Sequence, residues 1–144
     1  MVSIKTNTPT LSSGDAIKIN IDGNYEMKFK GAQPATVGNV VMVPAKQLFE
    51  TLEKKVESSA DGKTLTISDI NTTVKVTADS KVMTREVINL IDGSKSTETV
   101  QLDEAPRIVD GELLVPLKTV VEAFGSYVIW DEDTKTFLVI AGVC

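Results

Sequence analysis

Apolar and polar residues alternate along Ile17-Lys18-Ile19-Asn20-Ile21, which predicts a strand with its isoleucines on one face. Asp22-Gly23 signals a tight turn, and Tyr25-Glu26-Met27-Lys28-Phe29 alternates again, so a hairpin is expected. The period changes after Val40-Val41-Met42-Val43. Pro44 suits the first position of a helix, and Ala45, Leu48, Phe49 and Leu52 then fall at i, i+3, i+4 and i+7, one helix face. Lys54 and Lys55 are expected at the negative end of its dipole. Val56, a turn at Asp61-Gly62 and a strand over 64–67 follow.

The same grammar returns later in the chain. Asp110-Gly111 is a turn, 112–115 a strand, and Pro116 opens a helix whose apolar face is Leu117, Val120, Val121 and Phe124. Gly125 is a helix stop, 127–130 a strand, 131–134 a turn and 135–140 the return strand. Sliding residues 34–68 forward by 72 positions lands them on 106–140 without a gap. Ten positions are then identical: Pro34/Pro106, Val37/Val109, Val43/Val115, Pro44/Pro116, Lys46/Lys118, Glu50/Glu122, Val56/Val128, Asp61/Asp133, Lys63/Lys135 and Thr64/Thr136. These are mostly apolar, turn or helix-start positions, so what is repeated is a packing unit and not a catalytic apparatus.

Residues 73–77 and 82–91 also read as strands, Asp92-Gly93 as a turn and 100–102 as a short edge. The expected fold class is α+β, with two pseudo-symmetric repeats of antiparallel β-hairpins plus one helix each, packed as one domain. Repeat one covers about 17–68 and repeat two about 82–141. A repeat of 72 residues in two copies is too long and too few for a solenoid. Residues 1–14, rich in Ser, Thr, Asn, Pro and Gly, read as a flexible arm before a domain over 15–144.

Composition narrows the chemistry. With 144 residues, one domain can bury roughly 68–70% of its unfolded surface. Hydrophobic residues at 42% and a net charge of −5 describe a globular chain with no basic stripe, which argues against nucleic acid as a partner. There is no histidine, so the commonest general base and transition-metal ligand are missing. The single cysteine, Cys144, can form neither an internal disulfide nor a Cys-based zinc site. No apolar run is long enough to span a membrane.

The strings Val109-Asp110-Gly111-Glu112-Leu113-Leu114-Val115-Pro116-Leu117-Lys118, Glu122-Ala123-Phe124-Gly125, Val128-Ile129-Trp130-Asp131 and Thr134-Lys135-Thr136 carry a resemblance. Together with the approach Leu102-Asp103-Glu104-Ala105-Pro106, they resemble the copper amine oxidase N-terminal-like domain, or stalk domain, of exported Gram-positive bacterial proteins. The resemblance covers about residues 15–141 and is strongest in the second copy. The first copy departs from the pattern, with Glu53 where the family has glycine and Ser58 where it has tryptophan. The resemblance implies an accessory module, since the oxidases carry their copper and quinone in a different domain. It also implies an extracellular or cell-surface location, the signal peptide having been removed.

Each chemical candidate has a plainer reading. Asn24-Tyr25-Glu26 matches the string around the quinone-forming tyrosine of amine oxidases, but that chemistry needs copper held by histidines, and a turn and strand suffice. Asp131-Glu132-Asp133 lacks the spacing of a calcium loop and reads as a hairpin turn. The acids Glu50, Glu122, Asp103 and Glu104 fall on solvated faces or loops, not as a glycosidase pair. A serine nucleophile has only lysine as a base, with no local motif.

The candidate ligand surface is Tyr127, Trp130 and Tyr25. Alternation puts Tyr127 and Ile129 on one strand face and Val128 and Trp130 on the other, without saying which faces the core. The expectation is therefore a non-enzymatic module with no catalytic residue, cofactor or metal. Its candidate partners are a cell-wall polymer, other surface proteins, or a second copy through a strand edge. The first reading is a stalk, spacer or interaction module, and the alternative is a polymer- or polysaccharide-binding module.

Overall fold

The computed structural model describes residues 17–38, 40–131, 133–134 and 136–140; the arm over 1–14 and Cys144 lie outside them. Thirteen strands and two short helices are described, an α+β arrangement dominated by three sheets. In chain order these are β1 (Lys18–Ile21), β2 (Tyr25–Glu26), β3 (Ala35–Val37), β4 (Val40–Pro44), α1 (Ala45–Thr51), β5 (Lys55–Ser58), β6 (Thr64–Ser68), β7 (Thr72–Thr77), β8 (Val82–Ile88), β9 (Lys95–Gln101), β10 (Arg107–Val109), β11 (Glu112–Pro116), α2 (Leu117–Glu122), β12 (Tyr127–Asp131) and β13 (Thr136–Ile140). The sheets run β12-β13-β1-β2, β10-β11-β4-β3 and β5-β6-β7-β8-β9.

The middle sheet joins the two halves of the chain. Asp110 and Gly111 both take positive φ, 51° and 80°, the backbone of a two-residue turn between β10 and β11. Strands β3 and β4 pair Ala35 with Met42, and β10 and β11 pair Arg107 with Leu114, the same register 72 residues on. Where β4 meets β11, Val43 faces Val115, flanked by Pro44 opposite Leu114 and Met42 opposite Pro116. Exchanging each residue for its partner 72 positions away returns the same three pairs. The hairpin β5–β6 likewise matches β12–β13, with Lys55 on Ser68 and Tyr127 on Ile140.

The two hairpins are then extended differently. β6 continues antiparallel into β7, β8 and β9, whereas β13 takes β1 as a parallel neighbour. Residues 82–88, expected in the second repeat, therefore lie in the sheet of the first repeat's hairpin.

One core serves both halves. Helix residues Ala45, Leu48 and Phe49 are buried with their counterparts Leu117, Val120 and Val121, beside Val41, Val43, Leu113 and Val115 of the middle sheet. The alternate residues Met42 and Leu114 face the other side of that sheet and form a smaller cluster with Ala32. Burial of this kind stabilises by about 25 cal/mol per Å² of apolar surface removed from water.

Three local expectations change. The strand at 25–29 shortens to Tyr25–Glu26, because after Met27 the chain leaves β1 and crosses to the second face of the middle sheet. Gln47 of α1 holds it there: its side-chain oxygen accepts from the Lys30 N–H at 2.9 Å, and its amide donates to Lys30 O at 2.8 Å and to Glu112 at 2.7 Å. Lys54 and Lys55 fall beyond α1 and do not serve its dipole, since the last turn holds no basic residue. Lys54 instead bonds Asp69 at 3.2 Å and sits 5.2 Å above the Phe124 ring. The short edge at 100–102 becomes the end of β9, a seven-residue strand whose polar surface hides it from periodicity.

Candidate functional site

Strand register decides where the three candidate aromatics point. Trp130 is opposite Phe137 and Val128 opposite Val139, and Val139 is level with Ile21, so these residues share one face. That face is the core side: Trp130 is 6% exposed and its ring lies 4.6 Å from that of Phe137. Trp130 is therefore not an exposed platform. Tyr25 is opposite Ile21 and projects to this same side at the far edge strand, 49% exposed. Tyr127 points the other way and is 64% exposed. The three residues do not form one surface.

Tyr127 has different neighbours. On the outer face of the sheet it stands opposite Ile140, and Ile129, 49% exposed, stands opposite Leu138. Leu138 and Ile140 are half-buried. These four residues make an apolar stripe facing away from the core. Their counterparts in the first hairpin are Lys55, Glu57, Thr66 and Ser68, again paired two and two. Lys55 and Glu57 form an ion pair at 3.2 Å. Identical positions of the same hairpin are thus all polar in one copy and all apolar in the other. Differences between the copies at strand positions facing out of the core were legible in the sequence; counting identities passes over them.

The polar constellations have structural duties. Asp131 Oδ1 accepts from the N–H groups of Asp133 (3.0 Å) and Thr134 (3.4 Å), which closes the hairpin turn. Glu132 lies outside the described residues. Asp61 accepts from the Ser59 hydroxyl at 2.6 Å and the Lys63 N–H at 3.0 Å, and these bonds hold its carboxyl below its ordinary value. The Ser94 N–H does the same for Asp92, at 2.9 Å. Glu122 pairs with Lys118 at 3.0 Å, one helical turn away. Glu50 and Asp103 are exposed, and Glu104 is half-buried with an oxygen close to Gly38. Among the described residues no three of His, Cys, Asp and Glu gather as metal ligands. The chain itself holds no histidine, the residue that binds copper in the chemistry the Asn24-Tyr25-Glu26 string resembles.

Two further features escape sequence reasoning. Ile70, Leu90 and Ile91 are 81%, 61% and 97% exposed, in the β6–β7 and β8–β9 connections at one end of the five-stranded sheet. Alternation places Ile91 in a strand, but β8 ends at Ile88 and the loop is capped by Asn89. The indole N–H of Trp130 and Oδ1 of Asn20 are buried with no hydrogen-bond partner among the described residues.

No helix among the described residues is long and apolar enough to cross a membrane. No curated protein and no solved structure matches the chain. The profile of the copper amine oxidase N-terminal domain, a non-catalytic domain family, matches residues 20–139. That span takes in the middle sheet, both helices and nearly all of both hairpins, so the chain belongs to the copper amine oxidase N-terminal domain family.

Proposed function

We propose that this chain is a non-catalytic accessory module of an exported bacterial surface protein, which spaces or presents its neighbours and acts through surface contacts. The observation that carries this reading is the placement of the recurring positions. Val43 and Val115 face each other in the middle sheet, and the matched helix faces are buried in one core. The matched apolar positions serve packing, which leaves the exposed surface to make contacts. The same register supports a pseudo-twofold relation between the two units, with its axis at the Val43–Val115 pair. An extracellular location belongs to this reading through the family resemblance alone.

The test is a time-resolved turnover assay of the purified chain against peptidoglycan, soluble glycans and primary amines. The expected result is no product above the buffer blank. Product that scales with protein concentration overturns the reading.

A second reading, binding of wall polymer, is favoured by the exposure of Tyr127 beside Ile129 on the outer face. Aromatic faces of this kind are amphipathic anchors for ligands. Saturable co-sedimentation with insoluble peptidoglycan, lost in Tyr127→Ala, establishes that reading and names its site. The buried Trp130 is the wrong residue for this assay, because its removal damages the core.

A further inference from the structure

We propose that two copies of this chain pair through β12, antiparallel about Ile129, and so join their outer sheets into one. The inference rests on reading the chain as an interaction module and supplies the surface and the partner.

Strand β12 is an edge: β13 lies on one side, and among the described residues no hydrogen bond from another element reaches its other side. An open edge with apolar side chains is a template for another strand, and proteins ordinarily blunt such edges with charge or by keeping them short. The other described edge strands follow that rule. β5 carries the Lys55–Glu57 ion pair, β9 carries Lys95 and Glu98, and β2, β3 and β10 have three residues or fewer. β12 has five residues, Tyr127-Val128-Ile129-Trp130-Asp131, with no charge before the last. The first copy shows how this hairpin is protected when it stays alone, and the second copy lacks that protection.

The occupant follows from the strand's own pattern. A twofold axis at Ile129 sets Ile129 against Ile129 of the second copy, Val128 against its Trp130, and Tyr127 against its Asp131. Apolar residues then meet apolar residues at the centre, and the rims of the two cores close over each other. At both ends a phenol hydroxyl meets a carboxylate that accepts it, and the Asp131 carboxylate is already oriented by its bonds to the Asp133 and Thr134 N–H groups. The Ile129 pair sits on the axis and each of the other contacts occurs twice, as a twofold interface requires. On the outer face the stripe of Tyr127, Ile129, Leu138 and Ile140 becomes continuous with its copy across the junction.

Directly opposed residues in antiparallel strands have Cα atoms about 4.5–5.5 Å apart, within the roughly 4.4–6.8 Å that a disulfide spans. The test uses the full chain with Cys144→Ser. Sedimentation equilibrium of the wild type should give a concentration-dependent doubling of mass. Ile129→Lys should remain monomeric, as should Ile129→Glu, and an equimolar mixture of the two should recover the dimer. Under oxidation Ile129→Cys should form a covalent dimer, and Glu57→Cys, its counterpart in the first hairpin, should not. Circular dichroism and Trp130 fluorescence of each variant establish that it is folded. A wild type that is monomeric at every concentration overturns the proposal, as does a dimer that persists unchanged in folded Ile129→Lys. Neither of these results touches the turnover assay, so failure of the pairing and failure of the accessory-module reading are told apart.

Discussion

Glu53 adopts φ 63°, the left-handed backbone that Gly125 adopts at φ 82° in the matching position. An L-residue pays roughly 1–2 kcal/mol there, partly offset when glycine replaces it by the larger entropy of the unfolded chain. Glu53→Gly should therefore stabilise the protein by about 0.5–1 kcal/mol in denaturant unfolding. Gly125→Ala should destabilise it by a similar amount, although a Cβ there meets no atom within 4 Å. Trp130 reports on the core at the same scale. Trp130→Ala should cost about 3–5 kcal/mol, whereas Trp130→Phe, which also removes the unpartnered indole N–H, should cost far less.

Two turn carboxylates set a pH signature. The Ser59 hydroxyl and Lys63 N–H lower Asp61, and the Ser94 N–H and hydroxyl lower Asp92. A depressed folded-state pKa means stability that is fully present above the unfolded value and lost as pH falls through the folded one. Carboxyl carbon shifts followed by NMR should place both midpoints below the ordinary aspartate value of 3.8, and Ser59→Ala should move Asp61 back toward it.

Gln47 is the clearest case of one side chain placing an element. It closes two hydrogen bonds on the Lys30 backbone and a third on Glu112, which pins the segment that carries Ala32 over Met42 and Leu114. Gln47→Ala should cost about 1–3 kcal/mol and speed amide exchange at Lys30, leaving exchange in the β12–β13 hairpin unchanged. Nothing in the local pattern announces this role, since Gln47 looks like any solvated helix residue.

The helix faces were legible, because 3.6-residue spacing reports burial directly: Leu48 and Val120 are both 0% exposed. The two hairpins were legible for the corresponding reason, alternation ending in a turn. Strand β9 was not, since its residues are almost all exposed and an edge strand with two wet faces has no period to read. Nor was the parallel pairing of β1 with β13, which joins the two ends of the chain and leaves no local mark. Of the candidate surface, alternation separates Tyr127 from Trp130, but which of the two faces inward is set by what packs behind the strand and not by the strand itself.

At the scale of the whole molecule, the two halves of the chain meet in the middle sheet, and their two hairpins differ at the outward surface. The matched apolar positions of the two halves lie in the core, and the stripe of Tyr127, Ile129, Leu138 and Ile140 is where the two hairpins part. The measurement that tests this most directly is a transplant of the first copy's outward residues onto the second: Tyr127→Lys, Ile129→Glu, Leu138→Thr and Ile140→Ser in one chain, compared with the wild type for denaturant midpoint and for sedimentation mass. The expected result is a folded protein whose midpoint stays close to the wild type and whose association is lost. A variant that unfolds, or one that folds and associates as before, contradicts it.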